Sequence, residues 1–322
     1  MNVLITGGAG FLGSALARRL VSSVAAGGPI ERITLLDRAA PLQPIEDPRV
    51  HYMAADINDP AALEHAIGVH TTTIVHLAAV VSGQAEADFD LGMRVNVDAT
   101  RLILERARAL GTRPRVVFTS SVAAFGGPLP ARVADDTRAL PQSSYGVQKV
   151  IGELLVGDYT RKGYIDGVTL RVPTISVRPG APNKAASSFA SGIIREPLAG
   201  LPALCPVSTD VRMWLQSPQC AVSNLMHAIA IDGAALGIDR TVNLPGLSVS
   251  VGEMIEALRA VAGAEVAARV RFERDPAVER IVASWPSDFT AERARALGFV
   301  ADRDYASIIR AHVAAQGVAL AA

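Results

Sequence analysis

Tyr145 and Lys149 stand four residues apart in Tyr145-Gly146-Val147-Gln148-Lys149. That spacing puts two side chains on one face of a helix, so the phenol and the ammonium can share a cleft. An ammonium beside a phenol lowers its pKa electrostatically and lets it act as a base nearer neutral pH. Taken alone the pattern is common by chance, and an ordinary surface pair would look the same. Ser121 offers a hydroxyl that can hold a substrate oxygen or polarise a carbonyl. Near the start, Thr6-Gly7-Gly8-Ala9-Gly10-Phe11-Leu12-Gly13 fits a phosphate-binding turn in two frames, Gly7/Gly10/Gly13 and Gly8/Gly10/Gly13. Such a turn needs one glycine for the tight bend, one for backbone contact with a pyrophosphate and one for close helix–strand packing. The free N–H groups of the helix that follows favour the anion. Further on, Asp37 ends a β-branched run. An acid there binds a ribose diol and repels a 2′-phosphate, which favours NAD over NADP; Arg38, next in sequence, pulls the other way.

Elements must bring these groups together. Short apolar runs predict strands over 2–6, 33–37, 51–54, 73–77, 116–120 and 168–171. Helical periodicity predicts helices over 11–23, 60–67, 95–110 and 145–161, with Asp59 capping the second and Pro60 at its first position. Strand–helix alternation of this kind implies an α/β fold, a doubly wound parallel sheet covered on both faces. Ser121 then lies just past the fifth strand, at the carboxyl edge where open α/β sheets bind ligands. After Arg171 six prolines (Pro173, Pro179, Pro182, Pro197, Pro202, Pro206) punctuate a loop-rich stretch. Helices are expected near 221–231, 252–261, 275–282, 291–297 and 304–316. The reading is a dinucleotide-binding Rossmann domain over 1–172, with a returning segment around 213–247, and a smaller cap over 173–322.

Composition narrows the classes. The 322 residues carry 31 basic and 31 acidic side chains and no net charge, against a nucleic-acid binder's need for a basic face. Two cysteines, Cys205 and Cys220, are too few for a disulfide framework. The six histidines show no metal-ligand spacing, so no metal is expected, and His76 reads as structural. No run approaches the roughly 20 apolar residues of a membrane span, and the first residues lack a signal core; the expected location is the cytoplasm. Trp214 and Trp285 read as packing residues, with Trp214 the one placed to wall a pocket.

The chain resembles the extended short-chain dehydrogenases/reductases, the NAD-dependent epimerase/dehydratase family, over nearly its whole length. The residues that carry this are the glycine turn, Asp56-Ile57, His76-Leu77-Ala78-Ala79, Asn96-Val97, Thr119-Ser120-Ser121 and Tyr145 with Lys149. The resemblance implies a cofactor site for NAD. In it Gly7, Gly10, Phe11, Leu12 and Gly13 hold the pyrophosphate, Asp37 the adenosine ribose, and Asp56 and Ile57 the adenine. Leu77, Ala78, Ala79 and Asn96 line the dinucleotide, Lys149 and Tyr145 meet the nicotinamide ribose, and Pro173 and Thr174 pass the nicotinamide. It implies catalysis by Ser121, Tyr145 and Lys149, with Ser121 chosen over Ser120 because it directly precedes Val122-Ala123-Ala124-Phe125-Gly126. It also implies a homodimer.

Within the family, dehydratases place Thr-Asp-Glu where this chain has Ser121-Val122-Ala123, so acid–base elimination of water lacks its parts. Sugar-nucleotide epimerases carry acids where this chain reads Val211-Arg212-Met213-Trp214, and a tyrosine where it has Phe125. The stretch 170–189 resembles a branch that oxidises the 2-hydroxyl of a small four-carbon sugar acid to the 2-oxo acid with NAD. Such an acid needs a cation for its carboxylate and hydroxyl or amide partners for its alcohols. Arg178, Asn183, Ser187 and Arg212 are the candidates, beside Ser121 and Tyr145. An epimerase with recycled NAD and a non-catalytic NAD sensor are the competing readings.

Overall fold

The computed structural model describes residues 1–22, 28–41, 43–181 and 185–318. The expected end of the first helix at Ser23, the candidate Asn183, and the alanine tail from residue 319 lie outside them.

Seven strands form one all-parallel sheet: β1 (Asn2–Thr6), β2 (Arg32–Asp37), β3 (Val50–Ala54), β4 (Thr73–His76), β5 (Arg115–Ser121), β6 (Asp166–Val172) and, much later, Thr241–Asn243. The spatial order is Thr241–Asn243, β6, β5, β4, β1, β2, β3. Chain order therefore runs outward in one direction from β1 and in the other from β4. Open α/β sheets bind ligands in the crevice at such a reversal. The strands are apolar because both faces are covered: Leu4, Ile74, Val116 and Phe118 face one hydrophobic cluster, Ile5, Val75, Val117 and Val168 the other.

A third cluster belongs to the later chain. It gathers Phe189, Ile193, Met213, Met254, Leu258 and Ile308. The later strands are β7 (Thr174–Ile175), β8 (Ala203–Cys205), β9 (Arg212–Gln216), β10 (the sheet strand Thr241–Asn243, whose Val242 packs in the first-sheet core), β11 (Leu247–Ser250) and β12 (Val270–Phe272). β9 sits between β7 and β11, and β8 pairs with β12.

Two segments depart from expectation. The stretch 95–110 is not one α-helix. It opens as a π-helical segment, Met93–Asp98, and becomes regular only at Ala99–Leu110. The wider turn accompanies an inward Asn96, whose amide is fully used by its neighbours. The proline-rich stretch is also more regular than its sequence suggests. It holds β7, β8 and a helix, Phe189–Leu198, with Pro197 in the last turn.

Candidate active site

Each reactive side chain is set by a local device. The Ser144–Arg161 helix is capped by Ser143, whose Oγ accepts from Gly146 N at 3.2 Å. Any side chain at Gly146 would collide with the Ala123 carbonyl. This glycine therefore lets the helix press against the turn after β5 and places Tyr145 beside Ser121. Ser121 ends β5, and its Oγ accepts from Ala123 N at 3.2 Å. Ser120, its neighbour, donates instead to the buried Glu153 carboxylate, which leaves Ser121 as the hydroxyl facing the cleft.

Tyr145, Lys149, Ser121, Pro173, Thr174, Arg178 and Ser187 line one inner cleft of about 220 Å³. Burial pushes the Tyr145 phenol up to about 12, against the pull of the Arg178 charge and a hydrogen bond with Ser121. Burial pushes the Lys149 ammonium down to about 8, partly offset by Glu153. Lys149 Nζ donates to the Thr119 carbonyl at 2.8 Å and lies 5.6 Å from the Tyr145 ring centre. Arg178 is thus a second cation facing the phenol, beside the Lys149 expected from spacing. Burial lowers Arg178 to about 10. Its Nε donates to the Ile175 carbonyl at 3.1 Å and its Nη2 to Ser187 Oγ at 2.7 Å. These two bonds fix the guanidinium in the cleft wall, and Ser187 helps to orient it.

A second cleft of about 470 Å³ adjoins the first and shares Phe11, Leu12, Leu77, Ala79, Val81 and Thr119 with it. Gly7, Gly10, Gly13, Asp37, Arg38, Asp56, Ile57 and Ala78 are among its other lining residues. Gly7 takes φ +69°, and a Cβ there would come within 2.8 Å of Ala78 N. A side chain would be strained and would fill the gap between the two strand ends. The cleft runs onto the start of the Phe11–Ser22 helix, whose first N–H groups have no partner within the helix. Asp37 accepts from Ala9 N at 3.1 Å and from Ala39 N at 3.2 Å, so its carboxylate tethers the glycine turn to the end of β2. The Asp56 carboxylate accepts from Asn58 N at 2.9 Å and is held below its usual range by that bond first. A glycine cradle, a helix start and an acid beyond the second strand together fit a dinucleotide.

Two expected residues are elsewhere. Asn96 is buried outside both clefts. It accepts from Val80 N at 2.8 Å and donates to the Val80 carbonyl at 3.0 Å and to Gln148 Oε1 at 2.8 Å. It clamps the loop after β4 to the Tyr145 helix instead of lining the cofactor site. Arg212 is corrected likewise. Its guanidinium, 42% exposed, donates to the Ser248 carbonyl at 2.9 Å and pairs with Glu253 at 3.0 Å. β9 carries it to an outer edge, away from the inner cleft.

Sequence reading passed over two contributors, Glu153 and Gln148, and took a third, Trp285, for a packing residue. Glu153 follows Lys149 by four residues on the same helix, a spacing that signals a shared face. Its carboxylate takes two bonds from Arg171, at 2.9 and 2.6 Å. Gln148 holds Asn96. Trp285 lines the inner cleft, whereas Trp214 is the packing residue, its Nε1 donating to the Leu244 carbonyl at 3.1 Å. His76 is structural: it bonds to Thr6 Oγ1 at 2.7 Å and Thr100 Oγ1 at 3.0 Å, and burial drives it to about 3.

The chain is 59% identical to the D-erythronate dehydrogenase of Cupriavidus necator over 99% of its own length and all of that protein's. It is 46% identical to the D-erythronate dehydrogenase of Haemophilus influenzae, covering 96% and 98% of the two chains. Among solved structures, one described as a nucleoside-diphosphate-sugar epimerase from Agrobacterium tumefaciens superposes with a TM-score of 0.94 at 44% identity, over 100% of this chain and 96% of that one. The sequence pattern of one family spans residues 3–219, from the glycine turn through the tyrosine helix and beyond. The chain belongs to the NAD dependent epimerase/dehydratase family.

Proposed function

We propose that the protein is a D-erythronate dehydrogenase, which oxidises the C2 hydroxyl of the four-carbon acid to the 2-oxo acid with NAD. The observation that carries this reading is the meeting of Ser121, Tyr145 and Arg178 in one small cleft beside the dinucleotide cleft. A hydroxyl holder, a base and a carboxylate partner are the set that a 2-hydroxy acid requires. The names of the two relatives at 59% and 46% identity support the substrate.

When bound, NAD supplies the two-electron acceptor. The glycine turn with Phe11 and Leu12 would hold its pyrophosphate, and Asp37 its adenosine ribose. Lys149 would meet the second ribose, and Pro173 and Thr174 the nicotinamide. Arg178, oriented by Ser187, binds the substrate carboxylate as a fork. Ser121 holds the C2 hydroxyl oxygen, and Tyr145 takes the hydroxyl proton as C2 is oxidised. Ser121 and the Arg178 charge both favour the ionised phenol that this step needs.

The epimerase reading retains one specific support, the description of the 44% identical structure. It predicts a bound cofactor that is never released reduced. An inner cleft of about 220 Å³ lies below the roughly 300–1,000 Å³ of sites for larger ligands, which suits a short acid better than a sugar nucleotide. Three-, four-, five- and six-carbon aldonic acids, incubated with NAD, separate the two. The expected result is net accumulation of reduced cofactor, greatest with D-erythronate. An absence of net reduction, together with interconversion of nucleotide sugars, would transfer the assignment to the epimerases.

Asp37 gives a smaller test. Asp37→Ser removes the carboxylate that favours a ribose diol over a 2′-phosphate. The ratio of kcat/KM for NAD over NADP should fall by about tenfold or more, as for one lost hydrogen bond to a charged group. An unchanged ratio would remove Asp37 from the cofactor site. By family resemblance we take the working unit to be a cytoplasmic homodimer, which light scattering on the purified protein checks for assembly. Among the described residues no helix is long and apolar enough to cross a membrane.

A further inference from the structure

The inner cleft adjoins a larger cavity of about 780 Å³ between the 127–131 loop and the Pro276–Ala283 helix. Among the described residues, Trp285 alone lines both spaces. Its indole N–H is shielded from solvent and has no hydrogen-bond partner. A buried tryptophan N–H ordinarily finds an acceptor, and an unpaired one is costly. Tyr145, Ser121, Arg178 and Ser187 of the same cleft account for a carboxylate and a neighbouring hydroxyl. Ser82, Thr119, Ser120 and Lys149, which also line it, are bonded to Ala186 N, the His76 carbonyl, Glu153 and the Thr119 carbonyl, so the unpaired Trp285 N–H is a donor open to the far end of a short polyhydroxy acid.

We propose that Trp285 sets the length of substrate the enzyme accepts. Its ring closes the inner cleft behind a four-carbon acid, and its N–H donates to the terminal hydroxyl oxygen. The main chain supports this placement: Trp285 N donates to the Val282 carbonyl at 3.2 Å, directly after the helix. The ring also packs against the third hydrophobic cluster, so its position is fixed by the core beneath it. Removing the ring joins the small space to the large one.

The proposal rests on the sugar-acid reading, so it is tested in two ways that fail separately. The first readout is kcat/KM for aldonic acids of three to six carbons. The second is their dissociation constants, measured by calorimetry with NAD present in a Tyr145→Phe background. Trp285→Ala should lower the preference for the four-carbon over the six-carbon acid at least about tenfold in both readouts. Trp285→Phe keeps most of the ring and loses the N–H. It should weaken the four-carbon acid about tenfold while preserving the order of preference among the acids. A length profile of Trp285→Ala parallel to that of the parent overturns the proposal, as does unchanged affinity in Trp285→Phe. Absence of turnover on every acid defeats the sugar-acid reading by itself, while the binding profile still decides the role of Trp285.

Discussion

Tyr145→Phe is expected to lower kcat for D-erythronate oxidation by about 10²–10⁴-fold, the usual contribution of a positioned base. The dissociation constant for NAD should change by no more than about tenfold, because the ring stays and only one hydroxyl is lost. Among the described residues, the phenol is the one group in the inner cleft that combines contact with Ser121, burial and a facing cation. Lys149 in its ammonium form has donors only and cannot take the proton; one of them is bonded to the Thr119 carbonyl. His76 cannot either, because burial keeps it neutral and both ring nitrogens are occupied by Thr6 and Thr100. The folded state should persist, as Gly146 and the Ser143 cap that seat this helix are untouched. Retained turnover in Tyr145→Phe would mean that another group accepts the proton.

The parts of this site written in local sequence were the readable ones. The glycine turn, Asp37 and the Tyr145–Lys149 spacing each follow from a short-range rule: a positive φ, a strand end, a helical face. Strand–helix alternation likewise gave the parallel sheet, because strands covered on both sides must be apolar throughout. What sequence could not show was where long-range packing would turn a side chain. Arg178 and Arg212 look alike as arginines after the sixth strand. One is drawn inward by Ser187 and the Ile175 carbonyl, and the other outward by Glu253. Asn96 sits in a family motif and resembles a cofactor ligand, yet a π-helical turn aims it at the backbone of Val80. Trp214 and Trp285 both read as packing residues, with Trp214 the one to wall a pocket, yet the turn after Ala283 brings Trp285 to the cleft instead. The short strands β8 to β12 escaped because three- to five-residue pieces carry too little periodicity to separate from loop.

Arg178→Ala is expected to raise KM for D-erythronate about 30-fold to several-thousand-fold, as befits loss of one partner from a buried, hydrogen-bonded charge pair. The same residue acts on the base, and pH separates its two roles. In the free enzyme the Arg178 charge pulls the Tyr145 phenol down from the level that burial imposes. Removing that charge leaves burial less opposed, so the phenol ionises at a higher pH than in the parent. The alkaline rise of kcat/KM, which reports free-enzyme ionisations, should therefore move to higher pH in Arg178→Ala. Once substrate is bound, the paired carboxylate already offsets the guanidinium, so the pH dependence of kcat should move much less. Arg178→Lys keeps a charge without the fork and should restore much of the kcat/KM pH profile but little of the affinity. A KM increase with no displacement of either profile would make Arg178 a substrate anchor alone. A displaced kcat/KM profile with unchanged KM would make it a partner of the phenol alone, and the carboxylate would then have to be sought by another donor of the same cleft.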